Sequence, residues 1–64
     1  MNEKERDELR ELQDRVIIVI AKKGFQDNDV VIDGIDKKNK ITLRDLKMCI
    51  YPEYKTIFQE FLED

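Results

Sequence analysis

Residues 3–23 read EKERDELRELQDRVIIVIAKK, and this stretch decides the fold. It contains no proline or glycine, and Asn2 stands three residues before Glu5 as in a capping box, so we predict that a helix begins at Glu3. Gly24 follows the stretch and suits the left-handed conformation that commonly ends a helix. One face carries apolar side chains at helical spacing, namely Leu9, Leu12, Val16 and Val19. The sequence therefore predicts a long N-terminal helix as the centre of the fold.

The second half of this helix is apolar on every side, because residues 16–20 read VIIVI. A helix that is apolar all round must be covered all round. We therefore expect that loops wrap this segment closely, or that a second copy or another protein covers it. A strand at 16–20 is the competing interpretation, since β-branched runs favour sheets. The helix is preferred because the charged stretch runs into the segment without a turn signal.

The middle of the chain admits two interpretations. The favoured one is a helix of one to two turns, capped by Asp27 or Asn28. The alternative is a very short β-pairing between 30–32 and 40–43 across a turn at 38–39.

Two further helices are predicted in the C-terminal part. Thr42 and Asp45 have capping-box spacing, and Pro52 should end the helix that they begin and start the next one, which runs to about Glu63. The first of these helices should turn four residues inward, namely Leu43, Leu46, Cys49 and Ile50. The predicted fold is all-α, a compact bundle of three to four helices in a single small domain over 1–64.

The composition excludes most catalytic and metal chemistry. The chain has no His and no Ser, so neither a Ser-His nor a Cys-His pair can form. Its single cysteine, Cys49, provides neither an internal disulfide nor a zinc site, and we interpret it as a small buried hydrophobe. We therefore expect no enzyme, no cofactor, no metal and no small-molecule substrate. One cysteine, no secretory signal and no long apolar span predict a cytoplasmic protein without a membrane partner.

Charge is banded along the chain, although the net charge is only −3. Residues 25–36 hold four Asp and no base, whereas 37–50 are basic. The basic band supports an alternative function, nucleic-acid binding, through Lys37, Lys38, Lys40, Arg44 and Lys47. The two helices around Pro52 resemble the helix-turn-helix core of winged-helix DNA binders. The second of them is acidic, however, and phosphate would repel it, so nucleic acid is the less favoured partner.

Residues 34–45 resemble the second half of an EF-hand, with Ile41 at the central hydrophobic position. The ligand positions do not hold, because the first is Gly34 and the fifth is Lys38. The resemblance therefore implies a related shape without calcium binding.

The function we expect is that of a non-catalytic protein-interaction or regulatory module, a small accessory protein of a microbe or phage. Its partner would be another protein or a second copy of the chain. A homodimer would use Leu9, Leu12, Val16 and Val19 as its seam. Tyr51 and Tyr54 are further candidate contact residues, because tyrosine is favoured at interface hot spots.

Overall fold

The first helix of the chain, α1 (Glu3–Lys22), has twenty residues and forms one side of the core. A computed structural model describes residues 2–33 and 40–63. The Asn2 side chain accepts a hydrogen bond of 2.8 Å from the backbone N–H of Glu5, so the predicted cap is confirmed. Gly24 has a φ of 97°, a conformation that L side chains rarely adopt, and it ends the helix as predicted.

The middle of the chain forms a hairpin, so the favoured prediction of a helix after Asp27 is wrong. Strand β1 (Val30–Asp33) pairs antiparallel with β2 (Lys40–Thr42). The β-branched pair Ile32 and Ile41 lies directly across the two strands and is buried, which gives the sheet a core contact that a local helix would lack. The predicted turn at 38–39 lies outside the described residues.

The second helix, α2 (Leu43–Met48), begins where the sequence predicts. Thr42 and Asp45 form a complete capping box, with reciprocal bonds of 3.0 and 3.2 Å. The helix ends before Cys49, which has extended backbone angles (φ −130°, ψ 156°) and an exposed side chain. Two predictions are therefore wrong here, because the helix does not reach Ile50 and Cys49 is not buried.

The third helix, α3 (Lys55–Leu62), follows a single 3-10 turn at Pro52–Tyr54. The expected helix from Pro52 onwards therefore has a tighter first turn. Phe58 is the fully buried residue of α3, and α1 packs against both α3 and α2.

The core lies between α1 and the rest of the chain. Its buried apolar members are Leu9, Val16, Ile20, Ile32, Ile41, Leu43, Leu46, Tyr54 and Phe58. The molecule is thus mostly helical, as predicted, but it contains the short antiparallel sheet that the sequence offered only as an alternative. The radius of gyration is 11.4 Å, close to the roughly 11 Å that compact chains of this length show.

Candidate protein-interaction groove

Half of the predicted dimer seam packs inside its own chain. Leu9 and Val16 are each 2% exposed and belong to the core, whereas Leu12 and Val19 are half-buried. A side chain that its own chain covers has no accessible surface to offer a second copy. Leu9 and Val16 are therefore corrected from contact residues to core residues, and Leu12 and Val19 are the seam residues that keep some accessible surface.

The segment that should be covered on all sides is largely covered by the chain itself. Val16 and Ile20 are buried, while Ile17 and Val19 are half-buried. Ile18 alone among 16–20 is exposed, at 54%. The chain itself therefore provides most of this cover, and α1 packs against α3 and α2.

The two tyrosines differ in position. Tyr54 is buried, with its ring centroid 6.5 Å from that of Phe58, so it is a core residue rather than a free anchor. Tyr51 is half-buried at the edge of this cluster, with its ring centroid 6.0 Å from that of Tyr54. Burial raises the pKa of the Tyr51 hydroxyl above its ordinary value of 10.0, and the Asp45 carboxylate adds to this shift.

The basic band is described only in part, since Lys37 and Lys38 lie outside the described residues. Lys40 and Arg44 are exposed. The Lys47 ammonium donates a hydrogen bond of 2.7 Å to the Asp27 carboxylate, which lowers the pKa of Asp27 below its ordinary value. The charge of Lys47 is thus largely matched within the chain.

A polar clasp of two α1 side chains holds the end of α2. Gln13 is fully buried, and its amide nitrogen donates to the carbonyl oxygens of Leu46 (3.2 Å) and Cys49 (2.9 Å). Its side-chain oxygen accepts from the backbone N–H of Tyr51 at 2.7 Å. Arg10 donates to the Lys47 carbonyl at 2.8 Å, so the clasp satisfies carbonyls that a helix end leaves unpaired. Both amide hydrogens of Gln13 are used in this way, which makes it a structural residue.

An apolar groove of about 220 Å³ lies between α1, β1 and α3. Its walls consist of apolar side chains from four segments, namely Val16 and Ile20 of α1, Phe25 of the following loop, residues 30–32 of β1, and Ile57, Phe58 and Phe61 of α3. Among the described residues, Lys23 is the one charged residue that lines it. The Lys23 ammonium lies 4.8 Å from the centroid of the Phe61 ring, a cation–π contact at the rim.

Exposed apolar side chains concentrate at this groove. The described residues include five large apolar side chains that are exposed, namely Ile18, Phe25, Val30, Met48 and Ile57. Phe25, Val30 and Ile57 all line the groove. Sequence reasoning missed these three as a set, although one signal was present, since Phe25 is an aromatic residue in an otherwise polar turn.

The end of α1 explains the position of Phe25. The backbone N–H of Gly24 donates to the carbonyl of Ala21 at 3.1 Å, as in the turn that closes a helix with a left-handed glycine. Such a turn brings the residue after the glycine towards the last turn of the helix, and Phe25 and Ile20 indeed line the same groove.

A second, more open cleft is lined by charged and apolar side chains of α1 and of residues 47–52. Arg6 and Arg10 of α1 face Met48 and Cys49 across it. The thiol of Cys49 is exposed and free, but no imidazole exists in the chain to activate it. Within 2–33 and 40–63, no three His, Cys, Asp or Glu side chains are placed to hold a metal ion.

Comparison of the chain with protein-family models, with curated proteins and with solved structures finds no match. Among the helices described, none is long and apolar enough to cross a bilayer. The groove and the charges around it are therefore the observations that bear on function.

Proposed function

We propose that this chain is a non-catalytic protein-interaction module and that the apolar groove between α1, β1 and α3 is its binding surface. Of the ten lining residues within 2–33 and 40–63, nine are apolar and Lys23 is the exception. A surface of this kind suits apolar side chains of a protein partner better than a charged or strongly polar small molecule. Regulation through such a contact is the broader role that we propose.

The observation that carries the proposal is the convergence of Phe25, Val30 and Ile57. These three residues come from a loop, a strand and a helix, yet all three side chains border one groove. Covering the remaining exposed area of one such side chain contributes on the order of 1 kcal/mol. A partner that covers all three, and fills the groove between them, would offset a substantial part of the cost of association.

Nucleic-acid binding is the second candidate and has weaker support. Lys40 and Arg44 are exposed, but Lys47 is hydrogen-bonded to Asp27. Glu53 in the turn before α3 and Glu60 within α3 add negative charge that phosphate would repel. A binding site on these bases predicts affinity that falls steeply as salt increases. We place the module in the cytoplasm on the basis of its single free thiol, which a reducing compartment would preserve.

The experiment that tests the groove is a matched pair of substitutions, Ile57→Glu in the groove and Ile18→Glu outside it. Both side chains are isoleucines on helices, with exposures of 42% and 54%. The tagged wild-type chain is used to capture its partner from source cells, and the purified partner is then titrated against each variant by calorimetry.

We expect Ile57→Glu to weaken the affinity about 30-fold, because it removes an apolar contact and places a carboxylate in an apolar site. Ile18→Glu should leave the affinity within about two-fold. Equal affinities for the two variants would contradict the groove as the binding surface. Thermal unfolding of both variants is the control for folding.

A further inference from the structure

We infer that the occupant of the groove is an extended segment of another protein, flanked by basic residues, which adds to the free edge of β1 as a third strand. This inference rests on the proposed function and specifies its partner. It concerns the form of the bound segment and its charge.

The groove lies against β1 and not against β2. Val30, Val31 and Ile32 all line it, whereas no β2 residue does. Side chains of a regular strand alternate between its two faces, so a groove beneath one face would be lined by every second residue. Three consecutive residues border this groove, which fits a groove that follows the outer edge of β1, and the pairing irregularity between Val30 and Ile32 lies within the same segment.

The outer edge of β1 has no strand neighbour within the described part of the chain. The sheet there consists of β1 and β2 alone, so each strand has one side without a strand neighbour. Addition of an extended peptide to such an edge is a common recognition mode, in which backbone hydrogen bonds provide affinity and neighbouring pockets select alternate side chains. The apolar walls formed by Phe25 and Ile57 supply such a pocket here.

The acidic residues at the ends of β1 favour another protein over a second copy of the chain as the source of the segment. Asp29 and Asp33 are exposed at the two ends of β1, and no basic residue occurs between Phe25 and Asp33. Antiparallel pairing of two β1 strands centred on Val31 would place Asp29 of one copy opposite Asp33 of the other. Like charges directly opposite each other destabilise a strand pair, whereas a Lys or Arg at each end of the incoming segment would be favourable.

The first test is selection of seven-residue peptides displayed on phage against the full chain. We expect enriched peptides to carry apolar residues at alternate positions, because that spacing points every second side chain into the groove. We also expect Lys or Arg towards their ends. Enriched peptides with apolar residues three and four positions apart would overturn strand addition in favour of a helical occupant.

The second test places the modification on the peptide, so that folding of the protein is not in question. A selected peptide is synthesised with a single N-methyl group at each backbone position in turn. N-methylation at the positions whose N–H faces β1 should weaken binding about ten-fold, and at the alternate positions within about two-fold. If N-methylation changed the affinity equally at every position of the peptide, strand addition would be overturned.

The outcomes separate this inference from the proposed function. Binding that is lost with Ile57→Glu but is insensitive to N-methylation would leave the groove as the site and overturn the third strand. A solution dimer whose formation is abolished by substitutions in β1 would overturn the choice of another protein as occupant. Selection that enriches no peptide would also overturn the inference. Whether the groove is the binding surface is tested separately, by the affinities of Ile57→Glu and Ile18→Glu for the whole partner protein.

Discussion

Gln13 is the residue whose role depends most on the tertiary fold. It lies between Leu12 and Asp14 on α1 like any other helical glutamine, and its three hydrogen-bond partners are 33, 36 and 38 residues away in sequence. No local pattern reports contacts at that separation, so the apolar stripe beside Gln13 was predictable but the hydrogen bonds of the Gln13 side chain were not. The stripe was predictable because spacing along one helix is a local property.

Replacing Gln13 with Leu should destabilise the fold by about 2–4 kcal/mol, because the buried bond to Leu46 and the part-buried bonds to Cys49 and Tyr51 are all lost. Gln59→Leu is the matched control, since Gln59 is exposed on α3, and it should change the free energy of unfolding by less than about 0.5 kcal/mol. Urea denaturation of both variants measures the difference. If Gln13→Leu lowered the free energy of unfolding by less than about 1 kcal/mol, water would be satisfying the backbone groups that the Gln13 side chain binds.

The hydrogen bond between Lys47 and Asp27 should make the stability of the fold depend on pH. Its hydrogen bond lowers the pKa of Asp27 below the ordinary value of 3.8, so the pair stabilises the fold above that value and the contribution disappears as the pH falls through the lowered pKa. Carboxyl-detected NMR titration should show this lowered pKa in the wild type and a return towards 3.8 in Lys47→Gln. Lys55→Gln should leave the Asp27 titration unchanged, and an unshifted Asp27 in the wild type would contradict the pairing.

At the scale of elements, helix ends were predictable and the choice between helix and hairpin was not. Asn2 and the pair Thr42 and Asp45 act within four residues of the chain, so their capping roles follow from spacing alone. The segment 30–33 becomes a strand because Ile32 meets Ile41 across the hairpin and both enter the core. That contact is absent from any local window, and the local signals alone favoured the helix.

The end of α1 offers a prediction about backbone conformation. Gly24 has a φ of 97°, and a Cβ built on it meets nothing within 4 Å. Gly24→Ala should therefore destabilise the fold by about 1 kcal/mol through backbone strain alone. A synthetic chain with D-Ala at this position should be as stable as the wild type or more so, because the D residue accepts this conformation and restricts the unfolded chain. Chemical denaturation compares the three chains, and equal losses for L-Ala and D-Ala would point to steric conflict instead.

At the scale of the whole molecule, the groove is a product of the fold and not of any one segment. Phe25, Val30 and Ile57 belong to different segments of the chain, and no sequence pattern groups them. The first candidate surface, the stripe of Leu9 and Val16, is instead used to hold the domain together. A small chain with few buried residues requires its most regular apolar face for its own core, and the surplus apolar side chains remain where separate elements meet.

The charges at β1 predict the state of the isolated protein. Because Asp29 and Asp33 oppose pairing between two β1 strands, we expect a monomer by sedimentation equilibrium at low salt. Replacing both residues with Asn should increase self-association, whereas replacing Asp7 and Asp14 of α1 with Asn keeps the same change in charge away from the strand. Self-association that rises equally in both double variants would reflect net charge and not the edge of β1.

The most direct measurement of the central claim is an amide NMR map of the chain with its purified partner. We predict that the largest shift changes lie at Phe25, along 30–32 and around Ile57, with little change at Arg6 and Met48 in the second cleft. If the largest shift changes lay instead at Arg6, Met48 and Cys49, the partner would occupy the second cleft, and the groove would not be the binding surface.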